Sequence, residues 1–168
     1  MGQSKRKVWL WAGVAALVVV LAAGAAWAVA GGGNTTPAER DGDTVKVYKT
    51  PQCGCCTAWE DYIRDQGFSV DAEDVTQGEL NTIKQEAGLT RELASCHTAF
   101  VGGYVVEGHV PAADIRRLLE ERPDVDGIAV PGMPIGSPGM EMGDRKDPYD
   151  VVTFADGERV GTFSSYHQ

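Results

Sequence analysis

Positive charge is in short supply in this chain: 15 lysines and arginines stand against 24 aspartates and glutamates. Three of the basic residues, Lys5, Arg6 and Lys7, precede a long apolar stretch, and no acidic residue does. The chain beyond Ala30 therefore carries 12 basic against 24 acidic residues, a net charge of −12 with histidine neutral. Such a surface repels nucleic acid and anionic lipid and argues against both as partners. The acidic side chains are scattered, in the manner of a solvated surface. No internal repeat is present, which excludes a repeat architecture. The 125 or so residues after the linker described below suffice for one core and are too few for two.

A second absence is local. Residues 8–30 contain no charged side chain and are mostly Ala, Val, Leu and Trp. A core helix would show a polar face, and this segment has none. About twenty apolar residues cross a hydrocarbon core, so the segment is read as a transmembrane anchor. The basic residues hold 1–7 in the cytoplasm as an n-region and send the rest of the chain outside. The alternative is a cleaved signal peptide, because Ala28-Val29-Ala30 before Gly31 fits a small-residue cleavage site. The two readings give a single-pass cell-membrane protein or a secreted, periplasmic one, and in both the remaining domain is extracytoplasmic. Residues 31–43 lack a hydrophobic period and read as a linker. Residues 44–168 are the folded domain.

Within that domain, 44–48 alternates as a strand, and 57–66 carries Trp59, Tyr62 and Ile63 at helical spacing, closed by Gly67. Residues 68–75 read as a second strand and 79–87 as a second helix. A hairpin is expected over 98–110, with its turn at Gly102-Gly103. Pro111 opens a third helix over 112–121. The segment 131–142 is rich in Pro, Gly and Met and is expected to fold as a flap over the thiol site. A terminal β-hairpin around Asp156-Gly157 follows. The order βαβαββα, with thiols between the first strand and first helix, indicates an α/β, thioredoxin-like domain.

Those thiols are the chemical centre of the sequence. Cys53-Gly54-Cys55-Cys56 stands at a strand-to-helix junction, where the helix dipole and free backbone N–H groups favour thiolates. Cys53 and Cys56 alone form a C-x-x-C redox pair. With Cys55 and the distant Cys96, they form a sulfur cage for a soft ion. Where a thioredoxin-like domain usually has a proline before its third strand, this sequence has Ala94-Ser-Cys96-His97-Thr98, so Cys96 is expected to reach the first three thiols. Thiolates prefer Cu(I), zinc and iron–sulfur clusters. Zinc is the weaker candidate, since structural zinc usually takes two separated ligand pairs and a C-x-C-C run is ill suited to aim three sulfurs at one ion. The spacing motifs of iron–sulfur proteins are absent. His97 offers an imidazole to Cu(II), and His109 is a second candidate, with an ordinary hairpin role as its alternative. Met133, Met140 and Met142 are soft thioethers that favour Cu(I), or gap-fillers over an apolar surface. His167, next to the C-terminus, reads as an exposed residue.

The set Tyr48-Lys-Thr-Pro-Gln-Cys-Gly-Cys-Cys56 with a following Trp, Cys96-His97, Glu107-Gly-His-Val-Pro111, and Pro131-Gly-Met-Pro through Met142 resembles the uncharacterised metal-binding family related to CopG, a bacterial copper-resistance protein. The resemblance spans the chain after the linker. It implies an exported, thioredoxin-like copper-binding domain working beside other envelope copper-handling proteins, with a multi-copper thiolate cluster as one form of the site. Its ligand positions would be Cys53, Cys55, Cys56 and Cys96, with His97 and the methionines as further donors. Three readings follow. The first is a copper-binding protein, with a copper oxidoreductase step open to it. The second is a thiol–disulfide oxidoreductase with Cys53 as nucleophile and Cys56 as resolving thiol. The third is a domain merely stapled by a disulfide.

Overall fold

The computed structural model describes residues 44–168. The n-region, the anchor or signal over 8–30, and the linker lie outside the described residues. Among the described residues no helix is long and apolar enough to cross a membrane.

Strand β1 (Thr44–Lys49) alternates along its length, and Val45 and Val47 are fully buried, the two-residue period of a strand with one face in a core. Helix α1 (Gly54–Asp65) buries Cys56, Trp59, Glu60 and Ile63 on one face. It starts three residues before the expected 57, which takes Cys55 and Cys56 into its first turn. Strand β2 (Ser69–Asp74) is followed by α2 (Gln77–Glu86). There the Thr76 hydroxyl accepts from the Glu79 N–H while the Glu79 carboxylate accepts from the Thr76 N–H, a reciprocal cap that satisfies two otherwise free donors.

Strands β3 (Thr98–Val101) and β4 (Tyr104–Glu107) form the expected hairpin. Its turn residues Gly102 and Gly103 have φ of 57° and 90°, the left-handed pair that matches strand twist. Helix α3 (Ala112–Glu121) follows Pro111 over the expected residues. Three more strands complete the sheet: β5 (Gly127–Ala129), β6 (Tyr149–Ala155) and β7 (Glu158–Tyr166). The order through α3 is thus βαβαββα, and the β6–β7 hairpin extends the sheet through β5.

The sheet runs β2-β1-β3-β4-β5-β6-β7. β1 pairs parallel with β2 and antiparallel with β3, β4 pairs antiparallel with β3 and parallel with β5, and the remaining pairs are antiparallel. Val106 and Ile128 belong to one apolar cluster with Trp59, Ile63, Ile115 and Leu118. Their neighbours Val105 and Ala129 belong to another with Leu93, Val152 and Phe154. Adjacent strand residues face opposite ways, so both faces of the sheet are covered.

The α2 cap lies far along the chain from the thiols and offers a clean test of the local folding argument. Thr76→Ala should lower unfolding free energy by about 1 kcal/mol, measured by urea denaturation at unchanged m-value; an unchanged midpoint would show that the cap is not formed.

Candidate metal centre

Sheet register assembles the site. β1 leads through the turn at Pro51 into the Cys53–Cys56 run, and its last pairing with β3 is Tyr48 opposite Thr98. The loop that enters β3, carrying Cys96 and His97, is therefore held beside the loop that leaves β1. In the β3–β4 pair, Thr98 faces Glu107, and the Gly108 N–H donates to the His97 carbonyl at 3.1 Å. Continuing that register one step further sets Cys96 opposite His109.

The sulfur atoms of Cys53, Cys55, Cys56 and Cys96 all lie within 4.8 Å of one another. Cys53 and Cys56 are joined as a disulfide, with Cα atoms 5.3 Å apart, while Cys55 and Cys96 are free. Cys53 Sγ is 3.6 Å from Cys55 Sγ. A second group shares Cys96: its sulfur and one ring nitrogen each from His97 and His109 also lie within 4.8 Å of one another. Cys96 Sγ is 3.0 Å from His109 Nε2 and 3.4 Å from His97 Nδ1. Both imidazoles are fully buried, and Trp59 packs on His97 with ring centres 4.4 Å apart.

The protonation pattern follows from the partners. His109 Nδ1 lies 2.7 Å from the Pro138 carbonyl, which can only accept, so Nδ1 carries the proton. Its Nε2 then presents a lone pair towards Cys96, the tautomer a ligating imidazole needs. Burial holds His109 below its ordinary pKa. His97 is held well below, by burial first and then by electrostatic coupling to the His109 ring and Lys84. Its Nε2 is buried with no partner in hydrogen-bonding geometry. Both rings are consequently neutral at physiological pH, the form that binds metals. Burial, and then Cys55, push the Cys96 thiol up to about 12. A bound cation would reverse that preference, because a coordinating thiol gives up its proton.

The flap closes against this arrangement. Pro138 holds His109, and Gly139 (φ 79°) lies where an added Cβ would sit 2.7 Å from the Trp59 backbone nitrogen and 2.9 Å from the Cys55 carbonyl oxygen. Of the three methionines, Met133 and Met142 are 53% and 61% exposed and Met140 is half-buried. Met133 lines a cavity of about 660 Å³ with Pro131, Pro134, Tyr149, Asp150 and Arg159, whose walls include none of the cysteines. His167 is exposed. Glu107, which its local sequence marks only weakly, is completely buried beside the Cys96 loop. A charged residue at a strand end flanked by Val106 and Gly108-His109 was the available signal.

Fold and site define a mixed α/β protein with a thiol-rich, imidazole-flanked centre of the kind that holds a metal ion. Two solved structures, "Copper resistance protein copG" in forms 1 and 2, are similar to this chain at 42% and 43% identity, with TM-scores of 0.68 and 0.67. Each match covers 73% of this chain and 96% or 97% of the other. Residues 93–140 match the family described as "Protein of unknown function, DUF411". No curated protein sequence matches the chain. The chain belongs to the family of the copper resistance protein CopG.

The close contact at Gly139 leaves no room for a side chain, and its backbone is left-handed. Gly139→Ala should destabilise the domain by more than about 1 kcal/mol and raise the alkylation rate of Cys55. A variant with wild-type melting and thiol reactivity would show that the flap does not close there.

Proposed function

We propose that the chain is an envelope copper-binding protein in copper resistance or homeostasis, holding Cu(I) through Cys53, Cys55, Cys56 and Cys96. On this reading the β2-β1-β3-β4 sheet with α1–α3 is a thioredoxin-like scaffold. Segment 8–30 anchors it in the cell membrane, with the domain outside. The convergence of four sulfurs from two distant segments within 4.8 Å supports the reading most strongly. The similarity to structures named for copper resistance and the softness of thiolates select copper. Zinc is the rival ion, and the weaker one, since structural zinc usually takes two separated ligand pairs. His97 and His109 add nitrogen donors beside Cys96. A mixed sulfur and imidazole set accommodates Cu(I) and Cu(II), which is the requirement for a one-electron copper redox step. The methionines are kept as flap donors of lower rank. Metal would be exchanged with other copper-handling proteins of the envelope.

The Cys53–Cys56 disulfide favours a second reading, a thiol–disulfide oxidoreductase. It also sets a condition on the first, since only the reduced pair can contribute thiolates to a metal.

Anaerobic titration of the full-length chain with Cu(I), read by metal analysis, separates the two. The reduced protein should bind at least one copper ion per chain, more than the oxidised protein, and prefer Cu(I) to zinc in competition. Cys55→Ser or Cys96→Ser should lower the stoichiometry. Less than one copper per chain, with all four thiols still reactive, would overturn the reading. Dithiol turnover that survives both substitutions would favour the oxidoreductase.

A further inference from the structure

Between α2 and the Cys96 loop lies a buried ionic network that the sulfur site does not itself use. Glu107 is completely buried, and its carboxylate receives three donors. Lys84 Nζ and the Ser95 backbone N–H both donate to Oε1, and the Thr98 hydroxyl donates to Oε2 at 2.7 Å. Lys84 Nζ also donates to Thr98 Oγ1 at 2.9 Å. Burial raises the Glu107 pKa while Lys84, foremost among its partners, opposes the rise. A buried ion pair of this kind contributes little to stability compared with apolar packing of the same volume. Its placement suggests a different use.

Two of the three donors, Ser95 and Thr98, flank Cys96 and His97. The acceptor stands two residues before His109 on the neighbouring strand. A single carboxylate therefore ties together the two backbone segments whose side chains meet at the 3.0 Å contact of Cys96 Sγ with His109 Nε2. Adjacent geometry reinforces the tie. Gly108, at φ 74°, has no room for a Cβ because Ser95 lies against it. The Ser95 hydroxyl bonds to the Gly132 carbonyl and the Gly132 N–H to the Ala94 carbonyl, which joins the flap to the same loop.

We propose that Glu107, held by Lys84, is the positioning residue of the site: it clamps the 95–98 loop to the end of β4 so that the Cys96 sulfur and the His109 nitrogen converge. The inference deepens the copper reading and rests on it for its metal readout only. Partners outside the ligand shell that orient ligands typically change metal affinity by about 10- to 100-fold when removed.

The test uses the full-length chain with Lys84→Met/Glu107→Gln, which removes both charges together, and with Thr98→Val, which deletes the hydroxyl's two bonds, to Glu107 and from Lys84, in nearly constant volume. Thr76→Ala, in the same helical region but outside the network, serves as a control for lost stability. Three quantities are read on reduced protein: the alkylation rate of Cys96, the His109 tautomer by ¹⁵N NMR, and Cu(I) affinity by competition with a chromophoric chelator. The double variant should show faster alkylation of Cys96, loss of the single His109 tautomer, and an affinity lower by about tenfold or more. Thr98→Val should show a smaller change of the same sign, and Thr76→Ala none. Wild-type values for thiol rate and tautomer in a folded double variant, or in Thr98→Val where the double variant does not fold, would overturn the clamp. Absence of Cu(I) binding in the wild type would instead overturn the copper reading, leaving the clamp to be judged on thiol rate and tautomer.

Discussion

Everything in the centre depends on one constraint, the antiparallel register that sets Tyr48 of β1 opposite Thr98 of β3. Shifting that pairing by one residue would turn each side chain of β3 to the other face of the sheet. Val101 and Ala99 would leave the core they share with Val45 and Val47, so apolar burial fixes the register. The loops at the ends of the two strands then have no freedom in where they meet. One carries the C-x-C-C run into the first turn of α1; the other carries Cys96 and His97. The next pairing, Thr98 with Glu107, extends the same logic to His109. A metal-type site is thereby built from loops whose positions are set by the hydrophobic core.

The environment of the site follows from that burial. Trp59 packs against His97 with its ring tilted by 42°, and the Trp59 indole N–H donates to the Val110 carbonyl at 2.9 Å, so its polar end is satisfied inside the protein. In such surroundings imidazoles stay neutral and a lone thiol keeps its proton. The site favours a neutral set of donors until a cation arrives. The paired Cys53 and Cys56 add a redox condition to this electrostatic one, because in the disulfide form two of the four sulfurs are spent on each other.

Much of this was legible in the residues. Val45 and Val47, Trp59 and Ile63, Gly102-Gly103 and Pro111 each carried a period or a turn preference strong enough to place β1, α1, the hairpin and α3. The meeting of Cys96 with the first three thiols followed from the element order. The start of α1 was misplaced by three residues because Gly54 and three cysteines carry no helical signal, and the start came from the turn at Pro51 and Gln52. β5 was invisible: three residues long, it opens on Gly127, present because a Cβ there would collide with the Val105 carbonyl. His109 was a candidate ligand by residue type, but its contacts were not legible because its partners, Cys96 and Pro138, are distant in sequence. Glu107 was hidden for the same reason, since its ion pair reaches across to α2. Local patterns record periodicity and turns, whereas these contacts arise only after the strands have paired.

X-ray absorption at the copper edge distinguishes the proposed binding of copper among the sulfurs of Cys53, Cys55, Cys56 and Cys96 from binding elsewhere. Reduced full-length chain loaded anaerobically with Cu(I) should give a first shell dominated by sulfur, with the sulfur contribution diminished in Cys96→Ser. A first shell of oxygen and nitrogen alone, unchanged by that substitution, would contradict the account.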